Sequence, residues 1–253
     1  MNIFYEVAGE GPPLVLIHAN PFDHAMWLYQ IATFSRLFGV VAVDLRGYGR
    51  SDKPEQPFTF SDMANDVVAV VRDQGFDRIA LAGVSIGATL ALQIVLDHPQ
   101  LAKAAILVGG ESGNPVIFGS LAADYASISI TEQRRRHVEM IITAQFAKSA
   151  VGQYLIDAVL ENTPRLSGKS ISQIFRARSS VNLQSRLASV SAPTLVINGE
   201  NDVSLESGRY TAAHIPKCGA PDDLRCWPHV LYREPAGIRS AGSRLSVDKG
   251  LWT

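Results

Sequence analysis

Arg78-Ile79-Ala80-Leu81-Ala82-Gly83-Val84-Ser85-Ile86-Gly87 decides the fold, together with the run Ala88-Thr89-Leu90-Ala91-Leu92-Gln93-Ile94-Val95-Leu96 that follows it. The first five residues read as a short buried strand and the last nine as a helix, so Gly-x-Ser-x-Gly falls on the junction between them. A serine in that setting sits on a nucleophile elbow. The two glycines give the chain room for a sharp, strained turn that lifts the hydroxyl above the sheet edge. The plain alternative is an ordinary glycine turn carrying a bystander serine, and the strand and helix on either side argue against it. Ser85 is the candidate nucleophile.

Working outward, short apolar runs alternate with segments of helical period. Strands are expected at Leu14–Ile17, Val40–Val43, Ile79–Ala82, Ala104–Val108 and Thr194–Ile197, and a short one at Leu224–Trp227. The runs are continuous rather than alternating, as in a sheet covered on both faces. A helix beginning at Ser61 would turn Val67, Val68, Val70 and Val71 inward. The pattern predicts an α/β protein with a mainly parallel sheet flanked by helices. Between Pro115 and Ala192 the strand rhythm stops. Val138, Ile141, Ile142 and Phe146 recur there at helical spacing, with Ser129 or Thr131 able to cap the start. The organisation expected is a core of residues 1–115 and 188–253 interrupted by a helical cap over 116–187. Arg134-Arg135-Arg136 reads most simply as a solvated face of a cap helix, with a substrate-anion site as the sharper alternative.

A serine hydroxyl needs a histidine to take its proton, and the histidine needs a carboxylate to fix its tautomer. On such an elbow the partners follow in the order acid, then histidine. Asp202, in Gly199-Glu200-Asn201-Asp202 just past the strand at Thr194–Ile197, is the candidate acid; Glu111, just past the strand ending at Val108, is its rival. His229 has the order and edge location the base requires. His214 falls inside a helix pattern (Glu206 to His214), His98 stands at a helix end before Pro99, and His137 lies in the cap. Two oxyanion donors are expected, each worth roughly 3–4 kcal/mol. One is the backbone N–H of Ile86, the other that of Asn20 in His18-Ala19-Asn20-Pro21, where Pro21 has none to give. His18 is expected to brace that loop rather than to do chemistry.

The 253 residues carry a formal charge of −1, with 47% hydrophobic and 19% charged residues. That balance gives no footprint for nucleic acid or an anionic membrane surface. No run approaches the ~18 apolar residues of a membrane span, and the opening residues lack the pattern of a signal peptide. Cys218 and Cys226 are too few for a disulfide scaffold and have no metal-ligand company. They read as ordinary thiols of a cytoplasmic protein, with no cofactor and no metal.

These pieces together resemble the α/β-hydrolase superfamily in its branch with a helical cap. The resemblance rests on His18-Ala19-Asn20-Pro21 with Trp27, Asp44-Leu45-Arg46-Gly47-Tyr48-Gly49-Arg50-Ser51-Asp52, the elbow at Ser85, and Pro193 through Asp202. It spans residues 4–235. The nearest flavour is the small esterase and lactonase group, such as 3-oxoadipate enol-lactonases and serine haloperoxidase-like esterases. The resemblance implies a serine hydrolase acting on a small-molecule ester or lactone through an acyl-enzyme. Cofactor-free carbon–carbon bond hydrolysis on the same triad, or a ligand-binding relative that turns over slowly, are the alternatives. Asn20 two residues after His18 also resembles haloalkane dehalogenases, but those carry aspartate at the elbow. Two features depart from the family: Pro228 stands where glycine usually precedes the histidine, and Glu234-Pro235 are adjacent. The tail from Ala236 has a weak helical stripe where a closing helix is usual.

Overall fold

The computed structural model describes residues 1–113, 116–162 and 166–219. Among these residues, seven strands form one sheet. In chain order its first half runs β1 (Tyr5–Ala8), β2 (Pro13–Ile17), α1 (Leu28–Phe34), β3 (Gly39–Val43), α2 (Phe60–Asp73), β4 (Ile79–Val84), α3 (Ile86–Asp97) and β5 (Ala102–Val108). Five helices follow: α4 (Ile117–Ser127), α5 (Ile130–Ile141), α6 (Ala144–Ala147), α7 (Ala150–Asn162) and α8 (Gly168–Ser179). The sheet then resumes with β6 (Thr194–Ile197), α9 (Leu205–His214) and β7 (Cys218–Gly219). The strand order is β1-β3-β2-β4-β5-β6-β7, with only β1 antiparallel to its neighbour. The first five strand expectations fall within β2 to β6. The sixth, Leu224–Trp227, lies outside the described residues, as does the tail from Ala236.

Alternate residues of each strand feed opposite faces. Val15, Ile17, Val41, Val43, Ile79 and Leu81 join one apolar cluster with α2, α3 and α8; Leu14, Leu16, Val40, Ala42, Ala80 and Ala82 join a second with Trp27, Phe34 and Phe38. Two covered faces explain why the strands read as unbroken apolar runs. Helix α2 starts one residue earlier than the valine spacing suggests. Thr59 and Asp62 close a capping box that fixes its start at Phe60.

The helical insertion stands between β5 and β6, which are paired in the sheet. Ser129 rather than Thr131 caps α5, accepting from the N–H of Glu132. Tyr125 of α4 stacks on Phe175 of α8 at 5.5 Å, and Phe118 stacks on the same ring at 5.9 Å. Arg178 of α8 ties the insertion back to the chain after β5, donating to the carbonyls of Glu111 (2.9 Å) and Gly113 (3.0 Å). The solvated-face reading of the arginine triplet needs correcting. Arg135 and Arg136 are exposed and paired with Glu132, but Arg134 is fully buried. Helical geometry explains the split: Arg134 sits four residues before buried Val138, and Arg135 and Arg136 turn away from that face.

Candidate active site

Ser85 has φ +55° and ψ −117° between the end of β4 and the first turn of α3. A side chain rarely adopts that conformation, and it costs about 1–3 kcal/mol. The flanking glycines are fixed by contact rather than by taste. A Cβ on Gly83 would lie 2.2 Å from the carbonyl oxygen of Gly87, and one on Gly87 would lie 2.4 Å from that of Ile17. The Ser85 N–H donates to Val108 O of neighbouring β5 at 2.8 Å. The elbow is therefore pinned on both sides while the serine side chain borders a cavity.

That cavity has a volume of about 280 Å³ and lies where the C-terminal ends of β4, β5 and β6 meet the insertion. Ser85, Ile86, Asn20 and Asp202 all line it. The Oδ1 of Asp202 accepts from the N–H and the hydroxyl of Ser204, each at 2.8 Å, and its Oδ2 lies against Gly109, 3.0 Å from where a Cβ would stand. One carboxylate oxygen is thus held by its own turn and the other is turned to the strand ends. Glu111 lines the cavity as well. Burial and the nearby Asp202 carboxylate push its pKa up, partly opposed by Arg178. The candidate base His229 lies outside the described residues. His214 is exposed and stacked on Tyr210.

The loop at Asn20 is held from several sides. His18 is buried, accepts from the Leu45 N–H through Nε2 at 3.0 Å and donates to Ala19 O through Nδ1, so it braces the loop as expected. Behind it, Asp44 Oδ1 accepts from both the N–H and Nδ1 of His24 at 2.7 Å, and Oδ2 accepts from the Arg50 N–H at 2.8 Å. Burial works against the Asp44 charge, but these donors hold its pKa below the usual range. Asp23, His24 and Asp44 are the one group with metal-ligand geometry among the described residues; Asp44 is committed to these donors, and Asp23 caps the turn at Ala25. The same knot sets Tyr48, whose hydroxyl donates to Asn20 Oδ1 at 2.9 Å.

Two residues that the sequence reading placed in the cap, without a role at Asn20, belong to the site. Arg134 donates to Asn20 Oδ1 at 3.1 Å and to Pro21 O, and His137, buried and lining the cavity, meets Asn20 Nδ2 through Nε2 at 3.0 Å. The available signal was positional: Arg134, His137 and Val138 share one helical stripe. The remaining walls are apolar, with Phe22, Met26, Phe118, Val138, Phe146 and Phe175 among them, and no described lysine or arginine borders the cavity.

Residues 12–217 match the alpha/beta hydrolase fold family. An AB hydrolase superfamily protein, YisY, of Bacillus subtilis is 28% identical over 212 residues, 80% of this chain and 78% of that one. An enol-lactonase from Burkholderia xenovorans superposes with a TM-score of 0.85 at 20% identity, covering 96% of each chain, which speaks to the fold alone. Est816, described as an N-acyl homoserine lactone degrading enzyme, superposes with a TM-score of 0.79 at 26% identity, again over 96% of each chain. Among the described residues no helix is long and apolar enough to cross a membrane.

Proposed function

Because the chain belongs to the alpha/beta hydrolase fold family, we propose that it is a serine hydrolase of small carboxylic esters or lactones. The observation that carries this reading is Ser85 in its strained turn, between two glycines that no other residue can replace, bordering a cavity it shares with Asp202. Ser85 Oγ attacks the substrate carbonyl while His229 takes its proton, and Asp202 holds the imidazole in the required tautomer. The oxyanion of the tetrahedral intermediate is received by the backbone N–H groups of Asn20 and Ile86. Collapse expels the alcohol, or opens the lactone ring, with His229 returning the proton. Water then releases the acyl group by the same path reversed. The nucleophile, acid, base and donors all come from the chain, so the reaction calls for no cofactor.

The cavity also supports a substrate class. Residues 116–187 act as a cap that excludes water and strengthens the oxyanion contacts. A 280 Å³ space with apolar walls suits short or cyclic acyl groups. With Glu111 and Asp202 facing inward and no described cation on the walls, it favours uncharged ones.

A fluorophosphonate should label Ser85 and lose its target in Ser85→Ala. In a panel of activated esters and small lactones, short neutral substrates should turn over fastest. Labelling that survives Ser85→Ala, or faster turnover of long-chain triglyceride than of short esters, would overturn the reading.

A further inference from the structure

Asn20 is gripped from two directions. The core reaches it through Tyr48, and the insertion through Arg134 and His137. Its Oδ1 accepts from both Tyr48 and Arg134, so its Nδ2 is the end that faces His137, and the proton of the imidazole sits on Nδ1. Burial, reinforced by the Arg134 charge, pushes the His137 pKa down to about 4, which keeps Nε2 free to accept that bond. Arg134 also holds the Pro21 carbonyl, so one guanidinium spans two consecutive residues of the loop. It is fully buried, and its partners among the described residues are these loop oxygens, with no carboxylate within ion-pair distance.

A buried cation without a counter-ion is costly. A helix that merely covered the cavity would be cheaper with an apolar side chain at residue 134. What the position gains from arginine is a rigid planar fork that fits two oxygens at once. The side chain of Asn20 is spent on this grip, which leaves its backbone N–H as the group it can offer to the cavity.

We propose that the insertion is a working part of the oxyanion hole: Arg134 and His137 are positioning residues that lock Asn20-Pro21, so the hole is complete only when α5 is seated on the core. The proposal rests on the serine-hydrolase reading for its catalytic consequence, but its structural half stands apart from it. Cap closure and transition-state stabilisation thereby become one event.

The test compares the parent with Arg134→Met, Arg134→Lys, His137→Gln and His137→Leu. Arg134 has no described carboxylate partner that its removal would leave charged and unpaired, so Arg134→Met should stay folded; Arg134→Lys carries the same readouts if it does not. The first readout is hydrogen–deuterium exchange of the segment His18–Trp27, beside the melting temperature. The second is the rate of Ser85 labelling by a fluorophosphonate, with kcat and KM on a p-nitrophenyl ester. In Arg134→Met the segment should exchange faster. Labelling and kcat should fall about tenfold to a hundredfold with KM little changed, short of the roughly hundred- to thousandfold cost of deleting an oxyanion donor. His137→Gln, whose side-chain oxygen still accepts from Asn20, should retain more activity than His137→Leu.

Unchanged exchange at His18–Trp27 in Arg134→Met would overturn the proposal whatever the activity. So would faster exchange with parental labelling, or a loss confined to KM and melting temperature. A parent that resists labelling while the variant's loop loosens would remove the serine-hydrolase reading and leave the grip on Asn20 in place.

Discussion

Glu111 and Asp202 stand at neighbouring strand ends, yet their surroundings give them different work. Asp202 has one oxygen held by Ser204 and the other beside Gly109. Glu111 has no such support and its pKa is raised, mainly by burial. In the triad reading, Asp202→Asn should cost about 10⁴ in kcat through the wrong histidine tautomer, while Glu111→Gln should cost far less. The reverse ranking in steady-state kinetics would move the acid to the earlier strand. Stability gives an independent check on Glu111. An acid whose folded pKa lies above its unfolded value binds more protons when folded, so it destabilises the fold as pH rises through that window. Glu111→Gln should therefore raise the melting temperature at pH 8 and lose that advantage near pH 4. Both acids were visible from the sequence because each follows a recognisable strand; their ranking depends on Ser204 and on burial, which spacing does not encode.

At the scale of the element, α5 shows where reading a pattern stops. Ser129 and Val138 could be placed from propensity and period, because capping and amphipathicity are local properties. The burial of Arg134 is not local. It depends on the core presenting the Asn20 carboxamide and the Pro21 carbonyl to one face of the helix, and those lie more than a hundred residues earlier in the chain. Three consecutive arginines read as solvent-facing until that partner surface is known. The same contact makes α5 sensitive to acid. The folded pKa of His137 is about 4, below the ~6.5 of the unfolded chain. The unfolded state thus binds the extra proton between those values, and stability falls as pH drops through the window, by up to about 3 kcal/mol. The parent should lose melting temperature between pH 6.5 and pH 4. His137→Gln should flatten that part of the profile, and a profile identical in the two proteins would show that His137 does not titrate there.

For the whole molecule, the sheet was legible because β2 to β6 are buried on both faces, and the elbow was legible because its glycines answer to backbone contacts four or five residues away or at the end of the neighbouring strand. The edges were less so. β1 pairs antiparallel with β3 through only four residues, and β7 is described at Cys218–Gly219, where the described residues end. A strand as short as β1 takes its register from its neighbour and carries little pattern of its own. His229, Pro228 and the tail lie outside the described residues, so the base remains an assignment by chain order. The way the insertion joins the core has a bearing on protein engineering. Its two ends meet just past β5, where the N–H of Leu183 donates to the carbonyl of Ser112 at 2.7 Å, so a foreign set of helices could be spliced in at little closure cost. The joint is permissive, but the seat is not. A hybrid carrying another member's residues 116–187 on this core should fold, yet hydrolyse poorly unless an arginine and a hydrogen-bond acceptor are restored where Arg134 and His137 stood. Recovery of turnover on grafting those two side chains back, read as kcat in the hybrid, would mark them as a compatibility code between two otherwise interchangeable modules.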